Sequence, residues 1–289
     1  MADTAPVSSS RSSFSDLRTR ILSAIVLVAA AIGTLLLGGI AFVMFWLAAS
    51  LAMNWEWQRM VAPDRLVWRT LAGGAALCLA AALCVQLAPD LASLVVLAGA
   101  VVVGFIARKG RRLWSAAGVV YAGALIVAVV TIRPALAAAF ERPFDLRTIV
   151  WLFAVVWGTD VMAYFGGRLI GGPKVWPAVS PGKTWSGTLV GIVCGALAGV
   201  AVATINPVVP VSPLPVLGVG LAAGAAAQAG DFLESGIKRR FGVKDSSGLI
   251  PGHGGVMDRL DGFVAAAVLV VLVALIRDVS SVGEALFRW

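Results

Sequence analysis

Long apolar runs, repeated along nearly the whole chain, limit its folding choices more than any other feature. The hydrocarbon core of a bilayer is about 30 Å thick, and an α-helix needs about 20 apolar residues to cross it. Residues 21–62 are apolar almost throughout. At about 1.5 Å per residue they would reach roughly 60 Å, so they must cross twice. The fold-back is expected at Gly38 and Gly39, where two glycines supply a tight turn in a stretch without other stop signals. Further runs of spanning length fall near residues 70–88, 91–107, 113–131, 148–167, 187–206, 211–230 and 262–279. The pattern predicts an all-α polytopic integral membrane protein with about nine transmembrane helices. The run at 211–230 is expected to be short or broken, because Pro213 and Pro215 interrupt its start. A cleaved signal peptide over residues 18–31 is the rival for the first run, and the absence of a polar mature start after it argues against that.

Composition agrees. Hydrophobic residues make up 60% and charged residues 13%, with a mean hydropathy of +0.93, against roughly 45–50% and 25% in soluble domains. The net charge of +8 is diluted over apolar runs rather than gathered into basic segments, which excludes disorder and a nucleic-acid partner. Cys78, Cys84 and Cys194 lie inside apolar segments without C-x-x-C spacing and read as buried, inert thiols. The Ser-rich residues 1–16 are expected to form a disordered polar lead, followed by N-terminal transmembrane helices over 17–147 and a catalytic membrane region over 148–289. With the N-terminus cytoplasmic, 18 of the 23 Lys and Arg fall on the inner side; Arg133, Arg142, Arg147, Arg277 and Arg288 fall outside. That asymmetry follows the positive-inside bias. Trp55, Trp57, Trp114, Trp151 and Trp185 stand near expected span ends and read as interface anchors.

The polar residues that break this pattern carry the chemistry. Asp160 sits within an apolar span, where a carboxylate is costly, so it should face a protein-lined polar cavity with a positive neighbour. Asp231, Glu234, Asp245, Asp258 and Asp261 crowd into residues 230–261, GDFLESGIKRRFGVKDSSGLIPGHGGVMDRLD, among cations and glycines. If the preceding helix continues, Asp231, Glu234 and Lys238 fall on one face, and Asp258 and Asp261 are likewise three apart. Hard oxygen donors on two helix faces suit Mg²⁺, which keeps waters and takes one or two carboxylates plus substrate phosphates. Lys238, Arg239, Lys244 and Arg259 are expected to grip phosphates. Gly248, Gly252, Gly254 and Gly255 let backbone N–H groups approach an anion. His253, the only histidine, lies between glycines; phosphate contact or a backbone-orienting role suits it better than metal ligation, because no second His or thiolate completes a zinc site.

A second polar segment, residues 157–187, reads WGTDVMAYFGGRLIGGPKVWPAVSPGKTWSG. Its G-K-T is no nucleotide P-loop, since Pro177 stands where that motif needs Gly and a membrane helix replaces the preceding strand. Lys174, Lys183, Thr184 and Ser180 still supply two cations with hydroxyls, suited to a triphosphate or lipid phosphate. Gly191, Gly195 and Gly199, four residues apart, form a close-packing face between membrane helices, as do Gly218 and Gly220; such faces serve packing within one chain or across a homodimer.

Taken together, Ser235-x-Ile237-Lys238-Arg239-x4-Lys244-Asp245-x-Ser247-x2-Ile250-Pro251-x-His253-Gly254-Gly255-Val256-x-Asp258-Arg259-Leu260-Asp261 resembles the signature of bacterial phosphatidate cytidylyltransferases. Asp160-x2-Ala163-Tyr164-x2-Gly167-Arg168, Ser180-Pro181-x-Lys183-Thr184-x2-Gly187 and Gly230-Asp231-x2-Glu234-Ser235 look like further segments of that family. Val161 and Ser186 depart from its pattern, where Thr and Glu are usual. The resemblance implies a Mg²⁺-dependent attack of phosphatidate on the α-phosphate of CTP, giving CDP-diacylglycerol and pyrophosphate, in a multi-pass protein of a bacterial-type inner membrane. It implies metal at Asp231 and Asp258, joined by Asp160 or Asp261, one ion or two. Catalysis would fall to Asp231, Asp258, Lys238, Arg239, Lys244 and Arg259. Substrate binding would involve Arg168, Lys174, Ser180, Lys183, Thr184, Ser235, Asp245, His253, Gly254 and Gly255, with CTP entering from the cytoplasm and the lipid sideways from the bilayer to a site at the cytoplasmic face. Two rivals are weaker. Asp258-x2-Asp261-Gly262-x2-Ala265 imitates half of a CDP-alcohol phosphotransferase motif, but Ala266 holds its Arg position and of the later acids only Asp278 and Glu284 remain, in no such spacing. An ion-coupled transporter would place polar sites in two repeated halves, whereas the acids cluster at one end of the chain.

Overall fold

The computed structural model describes residues 11–135, 144–205, 210–279 and 281–289, with side chains from Arg18 onward. Residues 1–10 of the expected polar lead, and Arg142, lie outside the described residues. Nine helices among the described residues are long and apolar enough to cross a membrane. They are α1 (Arg11–Leu37), α2 (Gly39–Val61), α3 (Leu66–Val85), α4 (Pro89–Ile106), α5 (Arg112–Ile132), α6 (Asp145–Leu169), α7 (Trp185–Thr204), α8 (Pro213–Arg240) and α9 (Met257–Arg277). A short α10 (Val282–Phe287) follows, and an antiparallel hairpin, β1 (Lys174–Trp176) with β2 (Ser180–Thr184), interrupts the helices after α6. Neither was expected. Among the described residues α1 covers Arg11–Leu37, so residues 11–16 of the expected polar lead are helical.

The double crossing at residues 21–62 turns where its glycines stand. Gly38 has φ 64°, and a Cβ there would lie 2.7 Å from the Arg133 guanidinium, which donates to the Leu35 carbonyl at 2.9 Å. The expectation of a broken helix at 211–230 is overturned. Helix α8 runs unbroken for 28 residues, because Pro213 and Pro215 occupy its first turn, where backbone N–H groups have no helical partner to lose. It also continues ten residues past Gly230, which puts Asp231, Glu234, Ser235 and Lys238 on a helix.

Close backbone approach sets the geometry of the C-terminal half. Cβ atoms on Gly191 and Gly195 of α7 would lie 2.5 Å from the Thr159 carbonyl and 2.6 Å from the Val155 carbonyl of α6. In a bilayer, where lipid tails are as apolar as leucine, such contact gives helix pairs their dispersion energy. Gly220 packs α8 onto Ala196 of α7, while Gly218 faces open space. These glycine contacts lie within one chain. The two halves share one core: Trp46 of α2 stacks on Phe263 of α9, with ring centroids 5.0 Å apart.

Buried Arg69 of α3 adds a polar tie. It donates to Gln58 Oε1 of α2 at 3.1 Å, to Ser115 Oγ of α5 at 3.0 Å, and to the Asp64 and Ala62 carbonyls after α2.

Two of the expected interface tryptophans are core residues. Trp57 donates its Nε1–H to the Trp114 carbonyl at 2.7 Å, and Trp151 packs against Gly199, so both are buried. Of the cysteines only Cys84 is buried; Cys78 is exposed on an outer helix face. Leu94, Leu97, Val101 and Phe105 of α4 are among the large apolar side chains exposed on helix faces.

Substituting Gly195→Val should force α6 and α7 apart and destabilise the protein by about 1–3 kcal/mol or more. Gly218→Ala should be close to neutral. Thermal unfolding of both variants in detergent is the measurement, and equal midpoints would contradict the packing described here.

Candidate active site

One end of the bundle gathers the polar segments. The C-terminal half of α6, the hairpin, the start of α7, residues 228–231 of α8 and the start of α9 enclose a cavity of about 790 Å³. Its walls carry four carboxylates, Asp160, Asp231, Asp258 and Asp261, and four cations, Arg168, Lys174, Lys183 and Arg259, together with Tyr164, Thr184 and Gln228. All four expected metal ligands thus share one space.

The hairpin brings Lys183 to the wall opposite Asp160. Gly171 and Gly172, with φ of 70° and 106°, turn the chain out of α6, and Thr184 then caps α7 by accepting the Gly187 N–H at 3.1 Å. Lys183 Nζ lies 2.5 Å from Asp231 Oδ2, donates to Gln228 Oε1 at 3.0 Å, and stands 4.8 Å over the Phe232 ring. Gln228 Nε2 in turn donates to Asp160 Oδ1 at 3.4 Å. The positive neighbour expected for Asp160 is therefore reached through an amide. Such a chain lets one ammonium serve two carboxylates on different helices.

A second set of bonds fixes the opposite wall. Lys238 of α8 lies 2.6 Å from Glu234 Oε2 and 2.7 Å from Asp258 Oδ1. Asp258 Oδ2 accepts the N–H groups of Gly255 at 2.7 Å and Ser246 at 3.0 Å. Beneath the loop, wholly buried Glu56 of α2 accepts the N–H groups of Val256 at 2.9 Å and Met257 at 2.8 Å and the Ser247 hydroxyl at 2.6 Å, with Ser246 Oγ at 3.2 Å. The first-turn amides of α9 have no helical acceptor, so a carboxylate from another helix caps them with favourable charge. A Cβ on Gly254 would lie 2.7 Å from Asp258 Oδ2, and one on Gly255 2.5 Å from Glu56 Oε1. The glycines do bring backbone close to an anion, but that anion is the protein's own.

Several expected roles change accordingly. Lys238 does not grip substrate phosphate; it is buried between two carboxylates. Gly255 faces Asp258 and Glu56 rather than a ligand. Ser235 donates to Asp231 Oδ1 at 3.2 Å. Exposed Arg239 bonds the Val243 carbonyl at 3.2 Å, and Ser180 pairs with Trp176 at the far end of the hairpin, so neither lines the cavity. His253 Nδ1 lies 2.8 Å from Ser23 Oγ of α1, and the His253 carbonyl accepts from Arg259. Lys244, Asp245, His253 and Gly254 line a smaller neighbouring cavity. Ser186, where the family usually has Glu, bonds the Gly171 carbonyl, and Val161 is half-exposed. Glu56 was missed in the sequence because the flanking Trp55 and Trp57 drew the reading toward an interface; an acid inside an apolar span was the signal.

Charge balance bears on a metal. The cavity's four carboxylates and four cations cancel, so the wall itself cannot neutralise phosphate substrates. Among the described residues no three His, Cys, Asp or Glu side chains converge to hold an ion alone. That arrangement fits Mg²⁺, which takes one or two carboxylates and completes its shell with water and phosphate oxygens. One oxygen each of Asp160 and Asp261 accepts a hydrogen bond, from Gln228 at 3.4 Å and from the Gly262 N–H at 2.7 Å.

Comparison with known proteins gives concordant matches. Residues 18–276 match the family model described as the cytidylyltransferase family. The chain is 40% identical over 274 residues to the phosphatidate cytidylyltransferases of Brucella suis biovar 1 (strain 1330) and Brucella melitensis biotype 1, covering 94% of this chain and 98% of each relative. It is 41% identical over 126 residues to that of Staphylococcus aureus (strain COL), covering 43% of this chain and 47% of the relative.

Glu56→Ala should leave buried N–H and hydroxyl donors unpaired, at about 1–3 kcal/mol each, and so loosen the loop. Amide hydrogen exchange at residues 246–257 should quicken in Glu56→Ala and less in Glu56→Gln, whose amide oxygen still accepts. Unchanged exchange in both would remove Glu56 from this role.

Proposed function

Because the chain belongs to the cytidylyltransferase family, we propose that its main cavity is where CTP and phosphatidate are joined to give CDP-diacylglycerol and pyrophosphate. The observation that carries this reading is the convergence of four acids and four cations from three helices and a hairpin on one cavity at one end of an apolar bundle. The Lys and Arg asymmetry supports placing that end in the cytoplasm, and the bacterial relatives support an inner-membrane location.

The chemistry asks for alignment and charge neutralisation more than for proton transfer. A phosphate monoester carries about −1.5 to −2 charges near neutral pH, so the lipid phosphate is already a nucleophile and needs no strong base. Its oxygen attacks the α-phosphorus of CTP while the bond to the β-phosphate oxygen breaks, and pyrophosphate leaves. Bound Mg²⁺ would supply the positive charge that the balanced wall lacks, held by Asp231 and Asp258 with Asp160 and Asp261 on the same wall. Lys183, Lys174, Arg168 and Arg259 orient phosphate oxygens around the reacting atom. Lys238 keeps Asp258 in place, and Glu56 keeps the loop under it.

Purified protein with Mg²⁺ is expected to convert radiolabelled CTP and phosphatidate to CDP-diacylglycerol, and excess chelator should stop it. Asp258→Asn and Asp231→Asn should lower turnover by about 10²–10³-fold or more with the fold intact by thermal unfolding. Product formed at the same rate in chelator would refute the metal, and full activity of both variants would refute the site.

A further inference from the structure

Beside the main cavity lies a second one of about 460 Å³, and Arg259 lines both. The two differ in charge. The main cavity is balanced, whereas the second has three cations, Arg20, Lys244 and Arg259, against one carboxylate, Asp245. Among the described residues, no carboxylate pairs with any of the three cations. Arg259 is held at the boundary by the His253 carbonyl, which it approaches at 3.0 and 2.6 Å.

Arg20 belongs to α1, more than two hundred residues from the rest of the site in sequence. Two contacts latch that helix to the loop. A Cβ on Gly252, whose φ is 76°, would lie 2.6 Å from Arg20 Cγ, so the arginine stem lies against the turn. One helical turn on, Ser23 Oγ lies 2.8 Å from His253 Nδ1 and 3.0 Å from the Pro251 carbonyl. Among the described side chains of α1 only Leu35 is buried, and Arg20 itself is exposed. The loop therefore meets α1 through the residues that place a guanidinium in the cavity.

We propose that this second cavity is a phosphate-binding site, completed by Arg20, that holds a phosphate group of one substrate while its reacting atom sits in the main cavity. Two guanidinium forks and an ammonium suit a phosphate or phosphoanhydride oxyanion, and the single shared wall residue, Arg259, gives the continuity a substrate spanning both cavities requires. The ligand's source is either the terminal phosphates of CTP, which leave as pyrophosphate, or the monoester phosphate of phosphatidate. This inference rests on the function proposed above.

Initial rates of Arg20→Ala and Arg20→Lys, with CTP and phosphatidate varied in turn and pyrophosphate as product inhibitor, test it. Losing a charge-assisted contact should raise one KM about tenfold or more in Arg20→Ala, with partial recovery in Arg20→Lys and kcat little changed. A joint rise in the KM for CTP and the inhibition constant of pyrophosphate identifies the nucleotide; a rise in the KM for phosphatidate alone identifies the lipid headgroup. Both support the proposal. Unchanged KM values, with or without a fall in kcat, overturn it and leave Arg20 as a brace for the loop. Should the unaltered protein form no CDP-diacylglycerol, the functional reading fails by itself. Calorimetric titration of inorganic pyrophosphate into the unaltered protein and Arg20→Ala then decides the cavity: weaker binding to the variant supports it, and equal or absent binding overturns it.

Discussion

A carboxylate inside a membrane bundle must find donors, because the surrounding hydrocarbon offers none, and this requirement organises the whole polar end of the protein. Glu56 collects amides and hydroxyls from a loop two hundred residues away. Asp258 collects amides from the same loop and the Lys238 ammonium. Asp231 and Asp160 are joined through Lys183 and Gln228. Each pairing crosses between elements, so satisfying the acids also fixes how the helices, hairpin and loop stand to one another. An array held this way is preorganised, and its dipoles need little rearrangement when charge shifts during reaction.

The apolar part of the fold supports that array by a different force. Lipid tails remove the hydrophobic drive between helices, leaving dispersion and close backbone approach. Helices α6 and α7 meet through Gly191 and Gly195 with no space for a methyl group. Their joined ends carry Asp160 and the hairpin with Lys183, so tight packing deep in the bundle becomes precision at its mouth. The stack of Trp46 on Phe263 does the same between α2 and α9, the helices that bear Glu56 and Asp258.

The charged groups then divide by function. Lys238, buried between Glu234 and Asp258, serves the architecture. Those on cavity walls retain capacity: Arg168, Lys174 and Arg259 form no ion pair with a described carboxylate. A residue's type and motif position do not distinguish the two groups, since Lys238 and Arg259 stand in the same signature, yet one is buried between carboxylates and the other lines two cavities.

Much of this was legible in the sequence. Run length against bilayer thickness determined nine spans, paired glycines located the first turn, glycines four apart marked a close-packing face on α7 without naming its partner, and acids in apolar surroundings marked Asp160, Asp231, Asp258 and Asp261. These follow from local composition and a solvent that forbids unpaired polar groups. Other features needed the tertiary structure. The unbroken α8 depended on its prolines falling in the first turn, where a sequence shows only that they are present. The burial of Trp57 and Trp151 depended on which face met Gly118 and Gly199. The capture of the loop by Glu56 and Arg20 depended on contacts spanning some two hundred residues, which no local pattern encodes because their partners become neighbours only when the helices pack.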